Sequence, residues 1–176
     1  MKLSIHCLAS TAIAAVLLAA NVRADDELHA NCQQAVADFL KADPTMKRFF
    51  DDSAGYAIFP DVGKGGFIVG GARGKGLVYA KTNLVGQTTM TQGSIGAQVG
   101  GQVFAEIIFF ENATSLEDFK AGKFEMSAEV SAIAAAEGSS RTARYKLGVA
   151  VFTLPKKGLM VQASIGGQKF TFEPLR

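Results

Sequence analysis

The spacing of apolar residues divides the chain into a helical part and a strand-rich part. Over residues 25–40, "DDELHANCQQAVADFL", apolar side chains recur every three or four positions, which predicts one amphipathic helix. Acidic residues at its start and Asp43-Pro44 after its end are typical helix boundaries. We therefore expect an N-terminal helix over residues 25–42, with "TMKRFFDDSA" adding a short helical turn. The apolar stripe comprises Leu28, Cys32, Ala35, Val36, Phe39 and Leu40.

From Gly55 onward, short apolar or alternating runs bounded by glycine predict strands. "YAIF" is expected to stop at Pro60, and "VFAEIIFFE" reads as a buried strand. "KFEMSAEVSA" alternates with period two, which is typical of a strand with one buried face. Its apolar positions are Phe124, Met126, Ala128, Val130 and Ala132.

One short helix interrupts the strands. "ATSLEDFKAG" has Thr114 or Ser115 as a candidate cap and Gly122 as a stop signal. The predicted fold class is therefore α+β: a curved antiparallel sheet or partly closed β-barrel, with the N-terminal helix and one short central helix packed on it. Residues 55–176 are expected to be mainly β, and the many glycines suit bends and close backbone approach.

The glycine-rich stretch "GGFIVGGARGKGLVY" (65–79) does not have the spacing of a nucleotide-binding loop. A P-loop needs glycine five residues before its Gly-Lys pair, where Val69 precedes Gly74-Lys75, and the dinucleotide spacing fails as well. A flexible linker would be poorer in apolar residues. We interpret the stretch as two strands with a turn between them, with Arg73 and Lys75 at the turn.

Two pairs of segments resemble each other within the chain. "GYAIFPDVGKGGFIV" (55–69) is similar to "GVAVFTLPKKGLMV" (148–161), with Lys64 opposite Lys156, and "SIGAQVGGQVF" is similar to "SIGGQKF". Similar hairpins far apart in sequence are candidates for neighbours in one sheet.

Residues 1–24 have the pattern of a secretory signal peptide. A basic start precedes an apolar stretch from Cys7 to Ala20, which is shorter than the roughly 20 residues of a spanning helix. Small residues precede a cleavage site after Ala24. We expect a mature single domain, residues 25–176, in the periplasm or secreted.

Charge is balanced overall but segregated along the chain. Without Lys2 and Arg23, 16 basic residues face 16 acidic ones, so the mature net charge is zero. Residues 63–105 carry four basic and no acidic side chains, and residues 141–176 carry seven basic and one acidic. The positive charge therefore falls in the glycine-rich segments, which bears on partners rather than on fold.

The residues offer little for catalysis or metal binding. His29 and Cys32 lie three apart on the predicted helix, but Cys32 belongs to the apolar stripe, and two ligands are too few for zinc. Glu106 lies inside an apolar strand and needs a partner; a lysine or arginine across the sheet, or a solvent-facing position, would supply one. We expect no enzyme activity, no catalytic residue, no metal and no cofactor.

Three blocks in order resemble the SYLF domain in its secreted bacterial form: "AGYAIFPDVGKGGFIVGGARGKGLVY", "MTQGSIGAQVGGQVFAEIIFFE" and "GVAVFTLPKKGLMVQASIGGQKF". The resemblance implies a lipid-binding module without enzyme activity. Eukaryotic relatives bind phosphoinositides and, in the yeast branch, actin. Their membrane binding is attributed to a basic amphipathic N-terminal helix, whereas residues 25–40 carry four acidic residues and no lysine or arginine. We therefore transfer neither that mechanism nor actin binding to an exported protein.

The expected partner is anionic membrane lipid. Glycine-rich hairpins expose backbone N–H groups that can hold an anionic head group together with basic side chains. The candidate lipid-binding residues are Lys64, Arg73, Lys75, Lys156 and Lys157. Nucleic acid is not expected for a neutral exported chain without a recognition motif. The alternative is a structural or interaction protein of the cell envelope with no lipid ligand.

Overall fold

The N-terminal helix is present in the computed structural model, where α1 covers residues 25–42. The structure describes residues 25–65, 70–94, 102–124, 126, 130, 132–157 and 167–175. A 3-10 turn at Pro44–Met46 and helix α2, Lys47–Asp52, follow α1, and α3 covers Ala113–Lys120. Across those ranges, helices are too short or too polar to cross a membrane.

Seven strands in the described ranges form one mixed sheet. They are β1 (Gly55–Gly65), β2 (Gly70–Ala80), β3 (Asn83–Ser94), β4 (Gln102–Phe110), β5 (Ile133–Ala134), β6 (Val149–Lys157) and β7 (Gln168–Pro174). Their order is β5-β6-β4-β1-β2-β3-β7, and every pair is antiparallel except β5 with β6. The predicted α+β class is confirmed; of the two predicted arrangements, a curved antiparallel sheet or a partly closed β-barrel, the described strands form the sheet, which is not closed and has one parallel pair.

Contacts between non-neighbouring strands reveal the curvature. The rings of Phe59 on β1 and Phe170 on β7 lie 5.9 Å apart, although β2 and β3 separate these strands in the sheet. The sheet therefore curls around one face, which we call the inner face; the opposite one is the outer face.

Each face has its own apolar core. The inner core contains Phe59, Val62, Met90, Phe104 and Phe170, and α3 adds Leu116 and Phe119 to it. In the outer core, the stripe of α1 packs on the other side of the sheet. Its buried members from the helices are Cys32, Ala35, Phe39, Met46 and Phe49, and those from the strands include Ile58, Leu77, Ile107, Phe109 and Phe152.

The segment predicted as an alternating strand is not one where it is described. Met126 and Val130 are buried in the inner core, as the alternation implies, but residues 123, 124, 126, 130 and 132 have no strand pairing. Ala128 lies outside the described residues. Met126 exchanges backbone hydrogen bonds with Gly167 and Gln168, while the N–H of Ala135 donates to Thr153. Met126 thus contacts the start of β7, and the chain that follows the segment contacts β6, so Met126 and Val130 are buried without a regular strand.

Pro60 does not end the first strand. β1 continues to Gly65, and its register shifts between Ile58 and Asp61 against β2, and between Phe59 and Val62 against β4. A proline lacks the backbone N–H that a ladder requires, so an irregularity at this point accommodates it within a central strand.

The predicted helix near Leu116 is confirmed, but its cap is different. The side chain of Asn112 accepts a hydrogen bond from the N–H of Ser115 at 3.0 Å, so Asn112, rather than Thr114 or Ser115, caps α3. Gly122 follows the helix with φ of 67°, consistent with its role as the stop.

The internally similar segments do not pair with each other. β1 and β6 both pair with β4, one on each side of it. They lie in one sheet and share β4 as a partner, but the prediction that they are direct neighbours is wrong. Most of the second similar pair lies outside the described residues.

Candidate functional site

Strand β2 presents the central basic residues on the outer face. Arg73 and Lys75 alternate with buried Ala72, Gly74 and Gly76, and both side chains are exposed. Both lie inside the strand Gly70–Ala80, so the prediction that they occupy a turn is wrong. An extended strand holds the two cations on one side about 7 Å apart along the chain.

Neighbouring strands continue this polar surface. Arg73 is in register with Thr91 on β3, which is in register with Lys169 on β7. Lys75 is likewise in register with Thr89, and Thr89 with Thr171. Lys169 and Thr171 are exposed. Lys169 was absent from the predicted set, although its alternation with Gln168 and Phe170 was a signal that could have placed it outward.

An ion pair borders the surface on the side of β1. Asp61 is opposite Lys75 in the β1–β2 register, and its carboxylate lies 3.1 Å from Nζ of Lys156. The side chains of Asp61 and Lys156 are 54% and 30% exposed. Arg73, Lys75 and Lys156 therefore share one region, with one acid between two of the cations. An exposed pair of this kind contributes about 1 kcal/mol or less to stability.

The two remaining predicted lysines are placed by backbone register alone. Lys64 is opposite Ala72 on β2 and Gln102 on β4. Lys157 is opposite Val103, which is opposite Gly63, which in turn is opposite Arg73. For Lys64 and Lys157 the structure describes the backbone and not the side chain.

Helix α1 uses its apolar side against the sheet. The Cys32 thiol donates to the carbonyl of Ile58 at 3.7 Å, and the amide of Gln87 on β3 donates to Asp25 at 2.9 Å. Burial raises the pKa of the Cys32 thiol to about 12. The imidazole of His29 instead pairs with Gln33 at 3.0 Å. Cys32 and His29 thus have separate partners, and the stripe of α1 faces the protein.

Glu106 lies on the inner face and is fully buried. The side-chain amide of Gln168 donates to its Oε2 at 2.9 Å. Of the two arrangements expected for Glu106, a solvent-facing position is therefore wrong. A buried side-chain oxygen requires hydrogen bonds, and the amide of Gln168 supplies one of them.

A buried carboxylate fixes the end of α1. The Asp43 carboxylate accepts hydrogen bonds from the backbone N–H and the hydroxyl of Thr45. It also accepts from the N–H groups of Gly138 and Ser140 and from the hydroxyl of Ser139. Burial by itself raises the pKa of Asp43, but these donors outweigh it and hold that pKa well below its ordinary value. Arg48 adds hydrogen bonds to the carbonyls of Ser140 and Ala143. These contacts attach α1 and α2 to the segment before β6.

Within the described ranges, histidine, cysteine, aspartate and glutamate form no cluster of three or more with the geometry to hold a metal ion. The exposed outer-face cations are thus the main chemical feature that the described residues offer to a partner.

Comparison with known proteins gives one family match and one curated relative. The Ysc84 family model, described as "Las17-binding protein actin regulator", matches residues 91–174. This range includes Lys156, Lys157 and Lys169 and begins after Lys64, Arg73 and Lys75. "Beta cell expansion factor A" from Aeromonas veronii is 30% identical over 137 residues, which is 77% of this chain and 52% of the relative. The chain thus spans about half the length of that relative.

Proposed function

We propose, from the premise that this chain belongs to the Ysc84 (SYLF) domain family, that it is a lipid-binding protein that contacts anionic head groups. The observation that carries the proposal is the exposed basic region on the outer face. Arg73 and Lys75 stand side by side in one strand, and Lys156 lies next to them across Asp61. Lys157 on β6 joins this region through its register with Val103 and Gly63, whereas Lys64 is in register with Ala72 of the inner core and is not part of it.

The proposed attraction is electrostatic and additive. Each lysine or arginine near an anionic bilayer contributes on the order of 1 kcal/mol, so a single residue is weak and a cluster is needed. Exposed charges are screened over about 10 Å at 0.1 M ionic strength. Binding should accordingly weaken with added salt.

The helix is not the membrane contact in this proposal. Its apolar stripe packs in the outer core, where Cys32, Ala35 and Phe39 are buried. Insertion of α1 into a bilayer would remove these side chains from the sheet. The head groups therefore meet the folded surface of the sheet, without a helix entering the bilayer.

We propose that the protein is not an enzyme. Support comes from the separate partners of Cys32 and His29 and from the burial of Glu106 away from solvent. A screen for hydrolase activity tests this directly. Turnover that is abolished by Glu106→Gln or by His29→Ala would overturn it.

We also propose export, on the pattern of residues 1–24. The mature protein would start at Asp25 and act in the periplasm or outside the cell. Actin regulation, which the family description names, is not transferred to an exported protein. N-terminal sequencing of the secreted form should give Asp25 first, and an intact Met1 in that form would contradict export.

Vesicle co-sedimentation tests the lipid function. We expect binding to vesicles that contain phosphatidylglycerol and little binding to phosphatidylcholine alone. An enzyme would show turnover, whereas an envelope protein without a lipid ligand would show neither turnover nor vesicle binding. Equal binding to charged and neutral vesicles would contradict the head-group proposal.

A further inference from the structure

We infer that the membrane-facing surface is centred on β3, on a patch built by β2, β3 and β7, and that its occupant is the phosphate layer of an anionic bilayer. This inference rests on the proposed function and assigns its location. We call the surface the β2–β3–β7 patch. Its members are Arg73, Lys75, Thr89, Thr91, Lys169 and Thr171.

The patch is a regular grid of polar groups. One row across the strands is Arg73, Thr91 and Lys169, and the next is Lys75, Thr89 and Thr171. Neighbouring strands lie about 4.8 Å apart, and rows on one face are separated by about 7 Å. The cations and hydroxyl groups therefore sit at fixed positions on a sheet, with little backbone ordering left to occur on binding.

The chemistry of the grid suits phosphate oxygens. Guanidinium and ammonium groups supply hydrogen bonds together with positive charge, and threonine hydroxyl groups supply further donors. Thr91, Lys169 and Thr171 are exposed together with Arg73 and Lys75. Three cations stand within the patch, and the carboxylates of Asp61 and Glu173 lie at its margins.

Bare backbone extends the patch on the side of β1. Gly63 is the register partner of Arg73, and a Cβ placed there would have no heavy atom within 4 Å. No side chain at position 63 therefore obstructs the approach of a bilayer surface to Arg73. The same open space means that residue 63 accepts a side chain without disturbing the sheet.

The shape of the patch favours a layer over a single small molecule. The cleft lined by Lys75, Gln87, Thr88, Thr89 and Glu173 has a volume of about 50 Å³. Pockets that enclose a small ligand have volumes of about 300–1,000 Å³. Contact with several phosphate groups at once is the arrangement that this open, basic surface can provide.

Two charge reversals test the location. Lys169→Glu changes a patch residue on β7 that was not among the sequence-predicted contacts, and Gly63→Glu introduces an acid next to Arg73 in open space. Lys169→Glu should weaken binding to phosphatidylglycerol vesicles about 10-fold or more, because it changes the local charge by two units, and Gly63→Glu about 5-fold, because it changes the charge by one unit. Gly63→Ala should bind like the wild type, which separates charge from size.

Lys146→Glu is the matched control, because Lys146 is exposed at the opposite end of the sheet, next to the start of β6. It alters net charge as Lys169→Glu does and should change binding less than 2-fold, roughly the effect of a distant screened charge. Thermal unfolding of every variant establishes that the fold is retained. Residues 1–24 are identical in all variants, so they cannot cause a difference.

The outcomes distinguish a failure of the proposed lipid-binding function from a failure of the proposed location. If the wild type fails to bind vesicles, the proposed function is wrong. If the wild type binds and both Lys169→Glu and Gly63→Glu bind equally well, or Lys146→Glu loses as much, the function stands and the location is wrong. Soluble glycerophosphate at the same phosphate concentration as the lipid should not displace the protein from vesicles. Complete displacement would show that the patch binds a single phosphate group, and the proposal that a bilayer occupies it would be wrong.

Discussion

The side-chain amide nitrogen of Gln168 lies 2.9 Å from Oε2 of Glu106, and both residues are fully buried. Gln168 starts β7, and Glu106 is in the middle of β4, with β1, β2 and β3 between them in the sheet. The hydrogen bond therefore spans the inner face and exists because the sheet curls. The same curvature makes β2, β3 and β7 present their other side outward as one continuous surface.

Loss of this hydrogen bond should destabilise the fold. Gln168→Leu removes the donor from a buried acceptor, and we expect the free energy of unfolding in urea to fall by about 1–3 kcal/mol. Gln87→Leu is the matched control, since Gln87 bonds to Asp25 at the surface, and its effect should stay within about 0.5 kcal/mol. Equal stabilities of Gln168→Leu and the wild type would show that the curl does not depend on this contact.

Much of the fold follows from local sequence patterns, whereas the connections across the inner face do not. The helical stripe of residues 25–42, the buried run in β4 and the short helix near Leu116 each carry their own periodicity. The contact of Gln168 with Glu106 depends on how five strands curl together, and no local pattern encodes that. Pro60 was misleading for a related reason, since a strand continues past proline when a register shift in both partner strands accommodates it.

The candidate site was predicted in part. Charge segregation singled out Arg73 and Lys75, and the structure places both on the outer face. Lys169 was identified from the β3–β7 register, in which it pairs with Thr91, 78 positions earlier in the chain (169 − 91). The wrong turn assignment arose because glycine indicates both turns and close backbone approach, and β2 uses its glycines for the latter.

Glycine at position 76 should be required for packing, whereas glycine at position 63 should not. A Cβ at Gly76 would collide with the carbonyl oxygen of Ile58 and lie 2.7 Å from the ring of Phe59. We expect Gly76→Ala to lower the free energy of unfolding by about 1–3 kcal/mol, as overpacking does. Gly63→Ala, with open space around its Cβ, should leave stability within about 0.5 kcal/mol of the wild type. Similar losses for both variants in urea unfolding would contradict this packing.

Cys32 should be unreactive in the folded protein. Burial raises its pKa to about 12, so the thiolate that reacts with disulfide reagents is scarce at pH 8. In the form that starts at Asp25 and therefore lacks Cys7, we expect Ellman's reagent to label the native protein slowly and the protein in concentrated urea at once. Rapid labelling under native conditions, or a disulfide-linked dimer in non-reducing electrophoresis, would show that Cys32 is accessible.

Asp43 should make stability depend on pH in the acidic range. Its donors lower its pKa in the folded protein below the unfolded value of about 3.9, so its contribution is complete above that value. The contribution is lost as pH falls from the unfolded pKa through the folded one. Asp43→Asn should therefore lower the free energy of unfolding by about 1–3 kcal/mol at pH 7, and the difference from wild type should shrink below about pH 4. A constant difference from pH 7 to pH 3 would contradict the lowered pKa.

The most direct test of the central claim is the affinity of the wild type and of an Arg73→Glu/Lys75→Glu variant for phosphatidylglycerol vesicles, measured by co-sedimentation at two salt concentrations. The account predicts strong wild-type binding at 0.1 M salt and much weaker binding at 1 M, because the screening length falls from about 10 Å to about 3 Å. The double variant should bind at least about 100-fold more weakly than wild type at low salt, with little further change at high salt. Wild-type binding that ignores salt, or a double variant that binds as tightly as the wild type, would contradict electrostatic recognition of anionic lipid by this surface.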